Sequence, residues 1–428
     1  CWNNERDRMM RMILKLMLLP LLCLPATGAE NFLAPGFDSG RGLPEDRIYP
    51  QGRIFPFSGF SPADTAAMKQ AGYTMAGPVY SEYQIRNLTA DAEREGLFMI
   101  YPVQPEADGV RLTKKLLDAP DFNAKPYLKS IAAQVKKNAV NRRIAWWYLG
   151  PEELRPWRKR DMAFLKAAAE TIRENDPERR PVWLYLPNHY TKEQMIPFAE
   201  ALGVVGKGMY PTQLKKEDER VWCRWSAESE AQAVAETGAK AVPIAVPEMF
   251  RQPEVKHLDI LEKLVRHDVY LSLVSGAKGV VVFSLAKRPG FDAYDRYFDA
   301  YAQIARELAG EKKLGELFLF GKRLDRLKVE VVSGPAAVAV DVGINNKKDV
   351  REYPSVAFAE IGYRDRRTLF LVNSAPEAAV KVRVSGLPEG KVGVADLISG
   401  RNAVTVDHGG FEVELQPYEV KCLRFVAE

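Results

Sequence analysis

Short apolar runs alternate with longer amphipathic stretches between residue 53 and about residue 310, and the alternation occurs eight times. The runs are almost continuously hydrophobic, as expected for parallel strands that are covered on both faces. The stretches between them repeat apolar residues every three or four positions, as helices with one buried face do. The predicted strands are Arg53–Phe60, Tyr73–Tyr80, Leu97–Val103, Ile144–Leu149, Val182–Pro187, Val204–Tyr210, Ala241–Val246 and Gly279–Leu285. This α/β pattern predicts a (β/α)8 TIM barrel.

Start and stop signals delimit the predicted helices. Ser61 followed by Pro62 is typical of a helix start, and Gly72 is a favourable residue at a helix end. Apolar periodicity predicts further helices over residues 157–175, 258–274 and 294–308. The turn after the first strand reads Gly-Phe-Ser-Pro rather than a glycine-rich phosphate loop, which favours a barrel over a doubly wound nucleotide-binding sheet.

After Leu314 the chain changes to short β-rich segments separated by turns such as Glu389-Gly390. Seven such segments at close intervals predict a small all-β sandwich. We therefore expect a signal peptide over residues 1–29, a barrel over 30–314 and a C-terminal β-sandwich over 315–428.

The N-terminal segment has the layout of an export signal. Arg8, Arg11 and Lys15 precede an apolar stretch that ends near Pro25, and small residues follow. The stretch is shorter than the ~20 residues that span a bilayer, so we predict a secreted or periplasmic protein with no membrane span. Beyond this segment only two cysteines remain, one in each predicted domain, and we expect both thiols to be unpaired.

Charge and motif content narrow the function classes. The chain carries a formal net charge of +5, with basic residues scattered among acidic ones, which argues against a nucleic-acid partner. Its four histidines lack the spacing of a zinc motif, and the acidic residues form no calcium loop. We predict no metal and no cofactor, and the sequence does not indicate the oligomeric state.

Carboxylates follow two strands on opposite sides of the predicted barrel mouth. Glu152 and Glu153 follow the fourth strand, and Glu248 follows the seventh. Barrel enzymes act at the C-terminal ends of their strands, and hydrolysis of a glycosidic bond needs two carboxyl groups that flank the sugar. A helix-dipole role for the glutamate pair, or a salt-bridge role for Glu248, would explain the same residues without catalysis.

Other polar and aromatic residues near the strand ends are candidates for sugar contacts, because flat rings stack on the apolar faces of pyranoses. Trp146 and Trp147 must point to opposite faces of their strand, so only one of them faces the barrel axis. The candidate substrate-binding residues are Tyr101, Trp147, Asn188, His189, Tyr210, Trp222 and Ser284.

The segments WWYLGPEEL (146–154), NDPERRPVWLY (175–185), VPEMF (246–250) and GAKGVVVFSL (276–285) resemble clan A glycoside hydrolases. The resemblance implies a (β/α)8 barrel with a carbohydrate substrate, an acid/base glutamate after strand 4 and a nucleophilic glutamate after strand 7. Glu152 or Glu153 then corresponds to the proton donor, Glu248 to the nucleophile and Tyr210 to the tyrosine that commonly contacts the nucleophile. Pro151 stands where the family usually has asparagine.

The resulting hypothesis is a secreted glycoside hydrolase with a two-carboxylate mechanism, for which retention is favoured over inversion and Glu152 over Glu153 as the acid. The missing asparagine keeps a second hypothesis open, a non-catalytic carbohydrate-binding protein on a degenerate barrel. A barrel enzyme of another class, such as a lyase or a transglycosylase, is a third.

Overall fold

The computed structural model describes residues 54–238, 241–343, 347–387, 392–401, 404–406 and 409–427. Eight parallel strands alternate with eight helices in its first part. The strands are β1 Phe57–Gly59, β2 Met75–Ala76, β3 Phe98–Val103, β4 Ile144–Leu149, β5 Val182–Leu186, β6 Val204–Met209, β7 in two pieces (Val242–Pro243 and Val246–Pro247) and β8 Val280–Val282. The helices that follow them are α1 Thr65–Gln70, α2 Glu82–Glu95, α3 Ala124–Asn138, α4 Lys159–Asn175, α5 Lys192–Ala201, α6 Trp222–Thr237, α7 Leu261–Val274 and α8 Tyr294–Ala309.

The strands close into a barrel. A continuous parallel ladder runs from β2 through β3, β4, β5 and β6 to β7, and β1 pairs with β8. Backbone hydrogen bonds bridge the two remaining gaps: Gly77 donates to Gly59 between β2 and β1 (3.2 Å), and Val281 donates to Ala245 between β8 and β7 (2.9 Å). The eight strands that the sequence predicts are all present, so the predicted fold class is confirmed.

The first helix begins later than the sequence indicates. Asp64, not Ser61, caps α1, and its carboxylate accepts the amide of Ala67 at 2.9 Å. Ser61 has a positive φ of 47°, and its amide donates to Pro78 O at the end of β2. A helix start at Ser61 was therefore wrong, because this residue belongs to the barrel rim.

The loops on the C-terminal side of the barrel contain shorter strands and helices. A two-stranded hairpin (Glu106–Ala107 and Val110–Arg111) and a one-turn helix (Lys114–Leu117) lie between β3 and α3. Another one-turn helix, Val255–Leu258, precedes α7, and helix α9 (Leu314–Phe320) leads out of the barrel. The loops after β3 and β7 are consequently structured rather than open.

Antiparallel strands form the C-terminal part. They are β9 Lys322–Arg323, β10 Lys328–Ser333, β11 Ala337–Asp341, β12 Val350–Pro354, β13 Val356–Tyr363, β14 Arg366–Asn373, β15 Val380–Ser385, β16 Val392–Asp396, β17 Val404–Val406, β18 Gly410–Leu415 and β19 Val420–Ala427. One sheet has the order β9-β13-β14-β19-β16-β17, a second has the order β10-β15-β18, and β11 pairs with β12. This all-β sandwich follows the barrel as predicted.

Strands β9, β12 and β13 lie outside the seven β segments that the sequence predicts. The residues of β12 are exposed or half-buried, so the strand has no apolar alternation. In β13 Glu360 interrupts the apolar run. Its side chain is completely buried, and its carboxylate accepts the amide of Leu327 (3.1 Å) and pairs with the guanidinium of Arg367. Strand formation here depends on tertiary partners that local pattern does not reveal.

The sandwich packs against the barrel through α7 and α9. The ring of Phe370 on β14 stacks on Tyr270 of α7 at 6.3 Å and contacts Phe318 of α9 at 4.5 Å. Cys223 and Cys422 are both buried and unpaired, as expected. Within the described residues, no helix is long and apolar enough to cross a membrane. The predicted signal peptide lies outside the described residues.

Candidate active site

Aromatic rings fill the barrel interior below its C-terminal end. Phe60, which follows β1, contacts Tyr148 on β4 at 5.8 Å, Trp183 on β5 at 5.5 Å and Phe283 after β8 at 5.0 Å. Strands 1 and 5 lie on opposite sides of a barrel, so these rings meet across its axis. Alternation along the strands then directs Trp146 inward with Tyr148. These rings form an aromatic floor below the barrel mouth.

Glu152 lies three residues after β4 and is joined to this floor by two phenols. The hydroxyl of Tyr148 donates to its carboxylate, and Tyr80, at the end of the β2 segment, is a second hydrogen-bonding partner. Burial raises the pKa of Glu152 above its usual value, while the two phenolic hydrogen bonds oppose this shift. Glu152 therefore holds a proton more readily than an exposed glutamate does.

A cavity of about 270 Å³ adjoins Glu152 at the barrel mouth. Tyr148 and Glu152 form one wall, and residues of the β2 and β3 ends and of the hairpin after β3 form the others. The lining residues are Val79, Tyr80, Pro102, Val103, Gln104, Pro105, Arg111, Leu112, Tyr148, Gly150, Pro151 and Glu152. Of the three candidate carboxylates, only Glu152 lines this cavity.

Glu153 points away from this cavity wall. Its side chain is about half exposed and forms an ion pair with Lys114 at 2.7 Å, and its backbone has a positive φ of 56°. The left-handed backbone turns the two neighbouring carboxylates to different surroundings. Lys114 sits on the one-turn helix after the hairpin, so the Glu153 ion pair joins the loops after β3 and β4.

Glu248 follows β7 and is 2% exposed. Its carboxylate accepts the backbone amides of Thr212 at 2.5 Å and Gln213 at 3.3 Å, both in the loop after β6. Burial raises the pKa of Glu248 to about 7, against the lowering effect of the Thr212 hydrogen bonds and of Arg220. The carboxylate thus orders the β6 loop and is ionised less readily than an exposed glutamate.

Glu152 and Glu248 stand at the same end of the barrel, because each follows the C-terminal end of its strand. Two tyrosines connect their surroundings. The charge of Glu152 acts on the hydroxyl of Tyr185 on β5, and the charge of Glu248 acts on that of Tyr210 after β6. The rings of Tyr185 and Tyr210 stack with centroids 6.5 Å apart. Burial raises the pKa of Tyr210 well above its usual value. Tyr185 and Tyr210 therefore form a phenol layer next to both carboxylates.

Three predicted sugar contacts lie outside the barrel interior. Trp147 is fully buried, and its indole Nε1 donates to Asp176, just after α4, at 2.8 Å. Tyr101 packs edge-on against Trp147 at 5.7 Å. Both rings face the helices because alternation gives the inner face to Trp146 and Tyr148. Trp222, the first residue of α6, is buried and packs on Trp225 at 5.4 Å. Trp147 and Trp222 are packing groups in the described structure, Tyr101 is half-buried, and a sugar contact by any of the three stays a prediction.

Asn188, His189 and Ser284 do lie at the C-terminal rim. Asn188 is half-buried and His189 is exposed in the turn after β5. Ser284 follows β8, and its hydroxyl accepts the guanidinium of Arg288 at 3.4 Å. None of the three lines the cavity beside Glu152, so their contact with a sugar stays a prediction.

Tyr80 and Tyr148 are the site residues that sequence reasoning missed. Tyr148 stands four positions before Glu152 and two after Trp146, so strand alternation could have placed it on the inner face once Trp146 was chosen. Tyr80 ends the β2 segment, where the sequence shows only an apolar run followed by a helix cap. No local signal marks its approach to Glu152, which depends on the closure of the barrel.

No protein-family model and no curated protein matches this sequence. Solved structures do match, at low sequence identity. A structure described as a glycoside hydrolase is 12% identical and has a TM-score of 0.56, with 92% of this chain and 98% of that chain covered. A GH27 β-L-arabinopyranosidase from Geobacillus stearothermophilus, solved with arabinose, is 10% identical with a TM-score of 0.52, covering 89% and 99%.

The structure of AmyP in complex with maltose is 11% identical and has a TM-score of 0.50, with 87% of this chain and 85% of that chain covered. At such identities the likeness concerns the fold alone. The chain therefore shares its fold with these solved structures, two of which are described as glycoside hydrolases.

Proposed function

We propose that this protein is a glycoside hydrolase that cleaves glycosidic bonds of an oligo- or polysaccharide. The observation that carries the proposal is Glu152, a mostly buried carboxyl with a raised pKa in the wall of a cavity at the C-terminal end of the barrel. A general acid needs this combination of a retained proton and access to a ligand. The architecture shared with barrel glycoside hydrolases supports the same function.

In the proposed mechanism Glu152 donates its proton to the glycosidic oxygen as the bond to the anomeric carbon breaks. Glu248 attacks that carbon and forms a covalent glycosyl-enzyme, which water hydrolyses after Glu152 has become the base. Tyr148 donates to Glu152, whereas Tyr210 is near enough to Glu248 to be affected by its charge but its hydroxyl makes no hydrogen bond with that carboxylate. Retention of anomeric configuration is part of the proposal. Glu153, exposed and paired with Lys114, is assigned no chemical step.

A specific observation favours a second candidate, a carbohydrate-binding protein without catalysis. Glu248 is almost fully buried, and its oxygens already accept two backbone amides. A carboxylate held in this way is well suited to ordering the β6 loop and poorly exposed for attack on a sugar. Under this candidate the cavity beside Glu152 binds a saccharide and no bond is cleaved.

Activity on a polysaccharide panel tests both candidates. We expect the wild type to release reducing ends from at least one substrate, and Glu152→Gln to lower kcat by about 10²-fold or more. The loss should shrink on aryl glycosides with an acidic leaving group, because such a group departs without protonation. Glu248→Gln should lose activity on both kinds of substrate.

Glu153→Gln is the matched control, since it alters the neighbouring and exposed carboxylate. Equal activity of Glu152→Gln and wild type would exclude Glu152 as the acid. Binding of an oligosaccharide by the wild type without any cleavage, measured by calorimetry, would favour the non-catalytic candidate.

Export is also proposed, on the basis of the charged and apolar N-terminal segment. Mass spectrometry of the mature protein from a host with a general secretion pathway is expected to find a start near residue 30. A mature chain that retains the first 29 residues would contradict the proposed signal peptide.

A further inference from the structure

Glu217, Glu254 and His257 form a cluster on the loops after β6 and β7, separate from the cavity beside Glu152. One potential ligand atom of each residue lies within 4.8 Å of those of the other two. Glu217 and His257 are buried, and Glu254 is exposed. The cluster combines an imidazole nitrogen with two carboxylates, and it opens to solvent on the Glu254 side.

The orientation of His257 is fixed by a carboxylate outside the cluster. Its Nε2 lies 2.8 Å from Asp218 Oδ1, and Asp218 also pairs with Lys256 at 2.6 Å. An ionised carboxylate can only accept a hydrogen bond, so Nε2 carries the proton. In the neutral ring, Nδ1 then presents its lone pair to the cluster.

This Nδ1 atom is buried and has no hydrogen-bond partner among the residues that the structure describes, although Glu217 Oε2 is only 2.8 Å away. The two atoms are close but not aligned for a hydrogen bond. Two electron-rich atoms at this distance repel each other unless a cation contacts both of them. A shared cation bound to both atoms accounts for the short contact.

We propose that Glu217, Glu254 and His257 bind a divalent transition-metal ion, with Zn²⁺ as the best match. Mixed nitrogen and carboxylate ligands suit zinc, whereas calcium and magnesium prefer oxygen ligands only. The charges agree: the carboxylates of Glu217, Glu254 and Asp218 face one ammonium group, that of Lys256. Asp218 acts as the outer carboxylate that commonly orients a metal-binding histidine.

The bound ion would tie together two loops at the barrel mouth. Glu217 belongs to the loop whose Thr212 and Gln213 amides bind Glu248, and His257 belongs to the one-turn helix after β7. The metal would therefore stabilise the segment that holds Glu248 without contacting it. This inference is independent of the proposed hydrolase activity.

Titration of the metal-free full chain with ZnCl2, followed by calorimetry and by thermal unfolding, tests the site. We expect one saturable Zn²⁺ site per chain and a higher Tm in its presence, with no comparable binding of CaCl2. Glu254→Gln should weaken Zn²⁺ binding by about 10-fold or more. Its side chain is 67% exposed, so the variant is expected to fold as the wild type does.

Glu193→Gln is the matched control, because Glu193 is a similarly exposed glutamate (71%) on a different helix. Its Zn²⁺ affinity should equal that of the wild type. His257→Ala should abolish the site in protein whose circular dichroism remains native. Absence of saturable Zn²⁺ binding, or equal Zn²⁺ affinity in Glu254→Gln and Glu193→Gln, would overturn the proposal and leave His257 as a protonated partner of Glu217.

Discussion

The two candidate carboxylates differ in what surrounds them, although both are glutamates at strand ends. Glu152 combines burial with phenolic hydrogen bonds and borders a cavity, whereas Glu248 is enclosed and accepts backbone amides. Sequence position predicted which strands carry them but not which surroundings they have. The ionisation of each carboxyl group therefore leads to its own testable prediction.

Stability should depend on pH through Glu248. Its pKa of about 7 lies above the ordinary value of 4.5, so the native state binds this proton more tightly than the unfolded chain does. This tighter proton binding contributes fully to the free energy of unfolding below about pH 4.5, and the contribution is lost as the pH rises to about 7. The shift corresponds to roughly 3 kcal/mol.

Denaturant unfolding of the wild type and of Glu248→Gln, at several pH values from about 5 to 8, measures this effect. The stability of the wild type relative to the variant should fall with rising pH and level off above about pH 7. Glu153→Gln serves as the control and should show no such trend. A difference that does not vary with pH would mean that Glu248 is already ionised at the lower pH.

Tyr148→Phe should raise the pKa of Glu152 further. The phenol donates to the carboxylate and so favours its ionised form, and its removal leaves burial less opposed. If Glu152 is the proton donor, the alkaline limb of the kcat/KM profile should move to higher pH, by about one unit at most. Tyr101→Phe, which alters a phenol on the outer face of the barrel, should leave the profile unchanged. An unchanged alkaline limb in Tyr148→Phe would separate Tyr148 from the ionisation of Glu152.

At the scale of elements, strand β6 shows how small residues make room for the phenol layer. A Cβ added to Gly208 would lie 2.4 Å from the ring of Tyr210 and 2.6 Å from the hydroxyl of Tyr185. The stacked pair of Tyr185 and Tyr210 therefore requires glycine at this position. The sequence contains the glycine, but only the packed barrel reveals the reason for it.

Gly208→Ala should displace Tyr185 and Tyr210 and destabilise the protein by about 1–3 kcal/mol. We expect a larger loss of hydrolytic activity than of secondary structure, as measured by substrate cleavage and circular dichroism. Gly96→Ala is a useful comparison, because a Cβ there meets no atom within 4 Å and affects only the left-handed cap of α2. Wild-type activity in Gly208→Ala would show that the phenol layer tolerates movement.

At the scale of the whole molecule, a buried polar chain links the barrel to the sandwich. Arg220 pairs with Asp268 at 2.8 Å, Asp268 contacts His267 Nδ1 at 2.9 Å, and His267 Nε2 contacts the hydroxyl of Ser374 at 3.0 Å. Burial lowers the pKa of His267. Ser374 belongs to the sandwich and the other residues to the barrel, so the two parts share one hydrogen-bonded network.

His267→Ala should lower the free energy of unfolding by about 2 kcal/mol or more, since it leaves the buried hydroxyl of Ser374 without its imidazole partner and leaves Asp268 with Arg220 alone. Ser374→Ala removes one end of the chain and should cost about 1 kcal/mol. Thermal and denaturant unfolding measure both changes, with His189→Ala, at an exposed rim histidine, as the control. Equal stabilities of all three variants would mean that the network contributes nothing to the interface.

Much of the architecture could be predicted from the sequence because buried parallel strands and amphipathic helices repeat with different periods. All eight barrel strands, the change to β structure after Leu314 and the strand-end positions of Glu152 and Glu248 follow from local pattern and order. The alternation within β4 could also be predicted. Which of Trp146 and Trp147 faces the barrel axis could not, because it is decided by the contact of Trp147 with Asp176.

The sequence by itself determined the order of elements and the residue types at the strand ends, since both depend on neighbours along the chain. Only the tertiary structure decided that Tyr80 reaches Glu152, that Glu248 is enclosed by the β6 loop, and that Glu217, Glu254 and His257 converge. These features join residues from different strand-to-helix loops. Their geometry depends on how the barrel closes and how each loop folds over its mouth, and no local periodicity encodes that.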